Sequence, residues 1–368
     1  MKNLLIFVHK ESPLIGFIAG AFVFSFMPGI LHGFFDAEVF YFYCFVILFV
    51  LRLILKNNTY YFLERSPILL RREILFIFIV GTLFVYSFGI INQYHFNRFA
   101  SGCFIVALFV FYYSSFPRRL LLIVLIGFYI SAVIEEYSRV YFGVVFAAFL
   151  GALLSLSSEV GSGKKFSLGM RAIFFGTCLV LIGLSVFVVV GVRDAGLVES
   201  IFKGVSLITA GEGFDVNLNT AFILKVYPDE FDFRWFQHFQ TLLLNPIPRF
   251  LWESKPIAFG AVLSADLYNI DIEDIFVNLG PGFFGEAYAS GGWISVFITA
   301  VFFIVSARVL ITYLRQRLEG PELTIMSLVL IALYAFVWRG DFLNAYINLI
   351  LRVIPVLLYI STFKYSRR

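Results

Sequence analysis

Two cations, Arg249 and Lys255, and one tryptophan, Trp252, stand among prolines in the segment Asn245-Pro246-Ile247-Pro248-Arg249-Phe250-Leu251-Trp252-Glu253-Ser254-Lys255-Pro256. A guanidinium offers planar, bidentate hydrogen bonds to phosphate oxygens, and an ammonium offers a compact charge. Trp252 offers a flat apolar face, either to a ligand or as the anchor of a rigid turn. Upstream, Arg234, His238 and Thr241 follow each other at i, i+4 and i+7, so a helix over Phe231 to Asn245 would align them on one face. Trp235, Phe239 and Leu242 would mark its apolar side, as in an amphipathic helix lying on a membrane or docked on a bundle. Downstream, Gly280-Pro281-Gly282-Phe283-Phe284-Gly285-Glu286-Ala287-Tyr288 supplies a carboxylate, Glu286, and a further aromatic ring, Tyr288. Further charges stand in the turns Glu135-Glu136-Tyr137-Ser138-Arg139 and Trp338-Arg339-Gly340-Asp341, and Arg352 falls inside an apolar run. Charges placed near a bilayer either snorkel to the interface or line a cavity. Taken together, the cations suit a diphosphate, and His238 or Glu286 suits the role of proton acceptor.

These residues are set in a chain that is 60% hydrophobic, 19% aromatic and only 14% charged over 368 residues, with a mean hydropathy of +0.91. That composition excludes a soluble protein of this size and implies an all-α, polytopic integral membrane protein. Ten apolar runs stand out: Leu14 to Leu31, Val39 to Leu55, Ile74 to Ile91, Phe99 to Phe116, Leu120 to Ile134, Val140 to Leu156, Ala172 to Val192, Trp293 to Ile311, Leu323 to Trp338 and Ala345 to Thr362. Their lengths approach the ~20 residues that a bilayer requires. The first run is followed so closely by the second that it reads as an uncleaved span. No repeat or second domain is evident, so residues 1–368 form a single membrane domain with one large loop, 193–292, between spans seven and eight.

The net charge of +4 matters less than where the cations fall. Lys2 and Lys10, then Lys56, Arg65, Arg71 and Arg72, then Arg118 and Arg119, then Lys164, Lys165 and Arg171, then Arg308, Arg315 and Arg317, and finally Lys364, Arg367 and Arg368 alternate with loops nearly free of cations. With ten spans, the positive-inside rule puts all of these and both termini in the cytoplasm. The loop 193–292 then faces outward, which in a Gram-negative cell is the periplasm. Long loops of this kind carry function more often than short connections do.

Other chemistries lack residues. Cys44, Cys103 and Cys178 lie in apolar runs at no metal or disulfide spacing and read as packing residues. Asp271, Glu273 and Asp274 cluster acidic oxygens with no His or Cys spaced to complete a set, so no metal is expected. His9, His32 and His95 read as ordinary interfacial residues. No glycine-rich phosphate loop, nucleophile elbow or zinc-binding helix motif is present, no cofactor is expected, and nucleic acid is not the implied partner.

The Asn-Pro-Ile-Pro-Arg-x-x-Trp-x-x-Lys-Pro stretch at 245–256 and the Gly-Pro-Gly-Phe-Phe-Gly-Glu-Ala-Tyr stretch at 280–288 resemble elements of the O-antigen or oligosaccharide repeat-unit polymerases (Wzy). Tyr137-Ser138-Arg139 is similar to a Ser-Arg element that these polymerases share with the O-antigen ligases, and Arg339-Gly340-Asp341 resembles a further late element. The resemblance extends to the topology, with its large outward loop toward the carboxyl end.

That resemblance implies a membrane glycosyltransferase. An undecaprenyl-diphosphate-linked growing glycan is the donor and a lipid-linked repeat unit the acceptor, with membrane lipid around them and room for a chain-length regulator protein. The acceptor hydroxyl attacks the donor's anomeric carbon and undecaprenyl diphosphate leaves. Arg139, Arg249, Arg339 and Lys255 are the expected stabilisers of charge on that leaving group. Arg234, Trp252, Tyr288 and Asp341 are expected to bind substrate. The general base is open between His238, which resembles the loop histidine of the ligases, and Glu286. Ligation of the glycan to lipid A core is the competing activity, and flipping of lipid-linked glycans a third. A flippase, however, would concentrate charge in the middle of several spans rather than at their outer ends.

Overall fold

The computed structural model describes residues 2–22, 42, 45–46, 93–113, 143–144, 147–148, 150–152, 216–244, 252, 257, 259–268, 280–318, 320–338 and 342–361. Among them there is no strand. The helices are α1 (Lys2–Ala21), α2 (Gln93–Tyr113), α3 (Val216–Val226), α4 (Gln237–Leu244), α5 (Phe259–Tyr268), α6 (Phe283–Ala289), α7 (Gly292–Arg317), α8 (Gly320–Ala335, extended by a 3-10 turn to Trp338) and α9 (Phe342–Tyr359).

Three of these, Gly292–Arg317, Gly320–Trp338 and Phe342–Tyr359, are long and apolar enough to cross a membrane. The first two enclose the runs predicted at Trp293 to Ile311 and Leu323 to Trp338, the first extending six residues beyond its run, and the run predicted at Ala345 begins three residues inside α9. Two residues separate α7 from α8 and three separate Trp338 from α9, so the helices alternate in direction. The protein is thus all-α in its described part, with helices that could span a bilayer; spans read at 39–55, 74–91, 120–134 and 172–192 lie essentially outside the described residues.

Helix α8 is the centre of the bundle, buried on nearly every side by α1, α2, α9 and the helical residues at 143–152. Its closest neighbour is α1. A Cβ on Gly16 would collide with the backbone carbonyl of Ile331, and one on Gly20 with that of Ala335. Two glycines one turn apart let two backbones touch, which is how small-residue motifs hold helices together where lipid removes the hydrophobic drive. The pairing of 16 with 331 and 20 with 335 also fixes direction: α1 and α8 run parallel. Gly143 lies against Phe336 and Gly151 against Ile325, so that segment runs antiparallel to α8. The α1–α8 contact is completed by Trp338, whose indole N–H donates to the carbonyl of Phe17 at 2.8 Å.

Helix α1 is kinked at Glu11 (φ −113°, ψ 15°), two residues before Pro13. Proline lacks the N–H that would bond the preceding turn and its ring crowds that turn's carbonyl, which bends the helix where its apolar run starts. Helix α2 lies along α9 in the same direction, with the guanidinium of Arg98 donating to Asn344 Oδ1 at 3.1 Å and Gly102 against the backbone of Arg352. Arg352 does not snorkel. It is fully buried, and its guanidinium donates to the carbonyl and side-chain oxygens of Asn348, one turn earlier.

Helices α3 to α6 come from the long inter-span segment and gather at one end of the bundle, where α7 and α9 begin and α8 ends. Gly282, in front of α6, sits beside the carbonyl of Trp338 and the side chain of Val216. With φ of +73° and a carbonyl that near, a side chain has neither the backbone conformation nor the room at this position. Thr220 of α3 holds the approach to it, its hydroxyl bonding the carbonyl of Pro281 at 2.9 Å.

Candidate functional site

Helix α6 is the predicted Gly-Pro-Gly-Phe-Phe-Gly-Glu-Ala-Tyr element, and it is a plug rather than a surface loop. Phe283 and Phe284 are fully buried among Phe17, Phe303, Trp338 and Phe342, with Phe283 stacked on Phe342 at 5.0 Å between centroids. Burying two phenylalanines here contributes on the order of several kcal/mol and sets the helix in one rotation. Glu286 is consequently turned inward and fully buried. Its Oε2 accepts the backbone N–H of Phe342, the first residue of α9, at 2.5 Å. A helix start leaves its first N–H groups unsatisfied and carries a partial positive charge, so a carboxylate there is stabilised.

His238 approaches the same residue from the other side. Its ring meets that of Phe342 edge-on at 4.8 Å and lies 4.3 Å from that of Phe239. Nε2 is 3.0 Å from the hydroxyl of Thr299 on α7. Nδ1 is buried and bonds no described group. Burial in this aromatic setting pushes the imidazole from its usual 6.5 down to about 3, because the charged form would have to be desolvated. His238 is therefore neutral at physiological pH and a weak proton acceptor. Phe342 is thus the element common to both predicted proton acceptors: its backbone binds Glu286 and its ring flanks His238.

Arg234 does not share a helix face with His238. Helix α4 starts at Gln237, after a turn in which Phe236 adopts φ of +58°, and Arg234 lies outside it. The turn is pinned by N–H bonds from Arg234 and Phe236 to the carbonyls of Ala289 and Ser290. The guanidinium points the other way, toward Asp266 of α5 at 3.1 and 3.3 Å. Tyr227 donates to the same carboxylate at 2.7 Å. Burial, then the bond to and charge of Asp266, push the Tyr227 hydroxyl well up from its usual 10. Arg234 is thereby engaged in a clasp between the turn and α5.

Tyr288 is half-buried in an aromatic cluster, 5.5 Å from Trp293, 6.1 Å from Phe233 and 6.3 Å from Phe42, all near-perpendicular. Burial, with the charge of Asp229, raises its pKa. Trp252 is half-buried. Arg139, Arg249, Lys255, Arg339 and Asp341 lie outside the described residues, as does the acidic cluster at 271–274. Among the described residues no three His, Cys, Asp or Glu side chains gather to hold a metal ion.

Sequence reasoning did not find Thr299, Phe342, Asp266 or Tyr227. Thr299 carries a weak signal, a hydroxyl in the apolar run Val296-Phe297-Ile298-Thr299-Ala300-Val301. Phe342 carries none, since a backbone N–H leaves no mark in a sequence and its ring is one of 48 phenylalanines.

Residues 214–366, which supply α3 to α9, match the model of a domain of unknown function, DUF8712. No curated protein and no solved structure matches the chain. The family match covers the segment that contains Glu286, His238 and the three candidate spans, while Phe17 and Phe42, which pack on the site, lie outside it.

Proposed function

We propose that the chain is a membrane glycosyltransferase that polymerises undecaprenyl-diphosphate-linked oligosaccharide repeat units into O-antigen or a related surface polysaccharide. The observation that carries this reading is Glu286: a fully buried carboxylate, on a helix formed by one of the two motif stretches, at the end of the candidate spans where the long segment gathers. In this reading that carboxylate accepts the proton of a sugar hydroxyl brought in from the headgroup level.

In this reading the acceptor hydroxyl attacks the anomeric carbon of the growing chain, the C–O bond to the diphosphate breaks, and undecaprenyl diphosphate departs. Glu286 takes the hydroxyl proton in this reading, and burial, which lowers the imidazole of His238 to about 3, makes that ring a weak acceptor. Arg139, Arg249, Arg339 and Lys255 neutralise the leaving diphosphate, and Trp252 and Asp341 hold sugar. Arg234 and Tyr288 support the site through Asp266 and the aromatic cluster, a role their contacts favour over direct substrate binding.

The ten-span arrangement has support in helix direction. Ten spans make α1 the first and α8 the ninth, which must run parallel, and put residues 143–152 in the sixth, which must run opposite to α8; the glycine contacts have both directions. The positive-inside rule then turns the α3–α6 end outward, in a bacterial inner membrane with both termini cytoplasmic.

Deletion of the gene, with lipopolysaccharide separated on a gel, tests the reading. A single repeat on the core with the ladder lost supports a polymerase. Loss of every repeat indicates a ligase or a flippase and overturns it. A ladder built in vitro by the purified protein from lipid-linked repeat units alone separates catalysis from transport.

A further inference from the structure

On α4 the two buried residues are polar and one of the two exposed ones, Leu243, is apolar, while Phe239 and Leu242 pack part-buried against the core. His238 and Thr241 face the protein, 0% and 3% exposed, whereas Leu243 is 76% exposed and Trp235, in the turn before the helix, 61%. In water an amphipathic helix turns Leu inward and His and Thr outward, because burying a leucine is worth roughly 1.5–3 kcal/mol. Where the surroundings are hydrocarbon the arrangement inverts: apolar side chains face out, and polar ones bond to each other inside. His238 does so with Thr299 on the neighbouring helix, and the Thr241 hydroxyl is satisfied by the carbonyls of Gln237 and His238 in its own helix.

Depth agrees. The turn before α4 is pinned at Ala289 and Ser290, just ahead of α7. His238 then meets Thr299, and Phe239 packs edge-on against Phe302 at 5.2 Å, so α4 descends along α7 in the same direction. With a rise of ~1.5 Å per residue, Phe302 lies about 15 Å below Gly292. That is about half of the ~30 Å hydrocarbon core.

The surface is continuous as well. Helix α7, a candidate span, exposes the apolar stripe Ile294, Phe297, Ile298, Phe302, Val305 and Val309, the face that a spanning helix turns to lipid. Phe239 touches that stripe at Phe302, and Leu243 lies one turn further along the same side of α4. From Trp235 to Pro248 the sequence contains no Asp, Glu, Lys or Arg. Gln240, also exposed, is uncharged.

We propose that α4 is a re-entrant helix, dipping into the half of the bilayer at which α7 begins, with Leu243 and Trp235 against lipid chains. Eight residues span ~12 Å, too short to cross, and the Asn245-Pro246 that follows favours a reversal. The inference does not depend on the glycosyltransferase reading. It places His238 below the headgroups, beside the spans.

The test is spin-label accessibility of the full chain in phosphatidylethanolamine/phosphatidylglycerol nanodiscs. With Cys44, Cys103 and Cys178 replaced by serine, a nitroxide is attached to Leu243→Cys, with Val305→Cys as the lipid-facing reference and Asp229→Cys, in an exposed turn, as the aqueous one. The Leu243 label is expected to match Val305, with an oxygen to water-soluble nickel chelate collision ratio several-fold above that of Asp229. A ratio matching Asp229 overturns the proposal, as does shielding from both reagents, which would mean a protein partner. Should Leu243→Cys not fold, quenching of native tryptophan by chain-brominated lipid replaces it. Trp235→Phe is then expected to lower the quenched fraction, and an unchanged fraction overturns the proposal.

Discussion

The carboxylate of Glu286 closes on the backbone N–H of Phe342, so that α6 is fastened to the first residue of α9. This single bond can be an anchor, or an anchor that also places a base, and substitution separates the two. Glu286→Gln keeps an acceptor oxygen and removes the charge and the proton-accepting group. It is expected to leave thermal unfolding in detergent nearly unchanged and to lower polymer formation by about 10²-fold or more. Glu286→Ala should also lose about 1–3 kcal/mol, because the N–H at the helix start is left without its partner. A full-length ladder from Glu286→Gln would reduce Glu286 to an anchor.

His238 makes stability pH-dependent, with a sign opposite to that of a histidine in an ion pair. Its pKa is about 3 in the folded protein against 6.5 when unfolded. The unfolded chain therefore binds a proton first as pH falls, and stability drops below pH 6.5, by at most about 1.4 kcal/mol per pH unit until the folded pKa is reached. Above pH 6.5 this contribution is flat. Thermal unfolding between pH 4.5 and 7.5 should show the slope in the wild type and a reduced one in His238→Gln; equal slopes would mean that another group is responsible.

How far the sequence carries depends on what kind of signal each feature leaves. The runs at Trp293, Leu323 and Ala345 were readable because a span is a long local pattern, and the structure puts α7, α8 and α9 on them. Glu286 was readable through the stretch around it. The α4 helix was found by period, and Phe239 and Leu242 of its predicted apolar side do pack on the bundle, but the burial of His238 and Thr241 beside them was not readable, because spacing gives two faces and does not say what surrounds each. Arg234 was placed on that helix because nothing in the spacing announces the positive φ of Phe236 that ends it. His238 with Thr299, Arg234 with Asp266 and Glu286 with Phe342 are partners far apart in sequence, and no linear pattern reports them.

The clasp at Asp266 ranks its members. Arg234 is 39% exposed at its side chain, so its ion pair is expected to contribute under ~1 kcal/mol. Tyr227 is buried and donates its hydroxyl to the same carboxylate. Asp266→Ala should therefore cost about 1–3 kcal/mol, more than Arg234→Ala, because it leaves a buried hydroxyl without an acceptor. Asp266→Asn should recover most of the loss, since its amide oxygen still accepts from Tyr227. Unfolding temperatures of the three variants decide the order, and Arg234→Ala proving the most damaging would reverse the assignment.

The α1–α8 crossing is the contact least able to yield. Alanine at Gly16 or Gly20 puts a methyl group into a backbone carbonyl, not into a movable side chain, so the two helices must separate. Each substitution is expected to cost about 1–3 kcal/mol, in the range of overpacked cores. Separation would also lengthen the Trp338 bond to the Phe17 carbonyl that lies between them in sequence. Ile18→Ala provides the control on the same helix: Ile18 is exposed, so its loss should cost less than ~0.5 kcal/mol. Size-exclusion profiles after heating in detergent should show both glycine variants melting below Ile18→Ala, and Trp338→Phe weakening a variant at Gly16 or Gly20 less than it weakens the wild type. Full additivity would place the indole bond outside the crossing, and glycine variants as stable as Ile18→Ala would mean that α1 does not seat on α8 in the membrane.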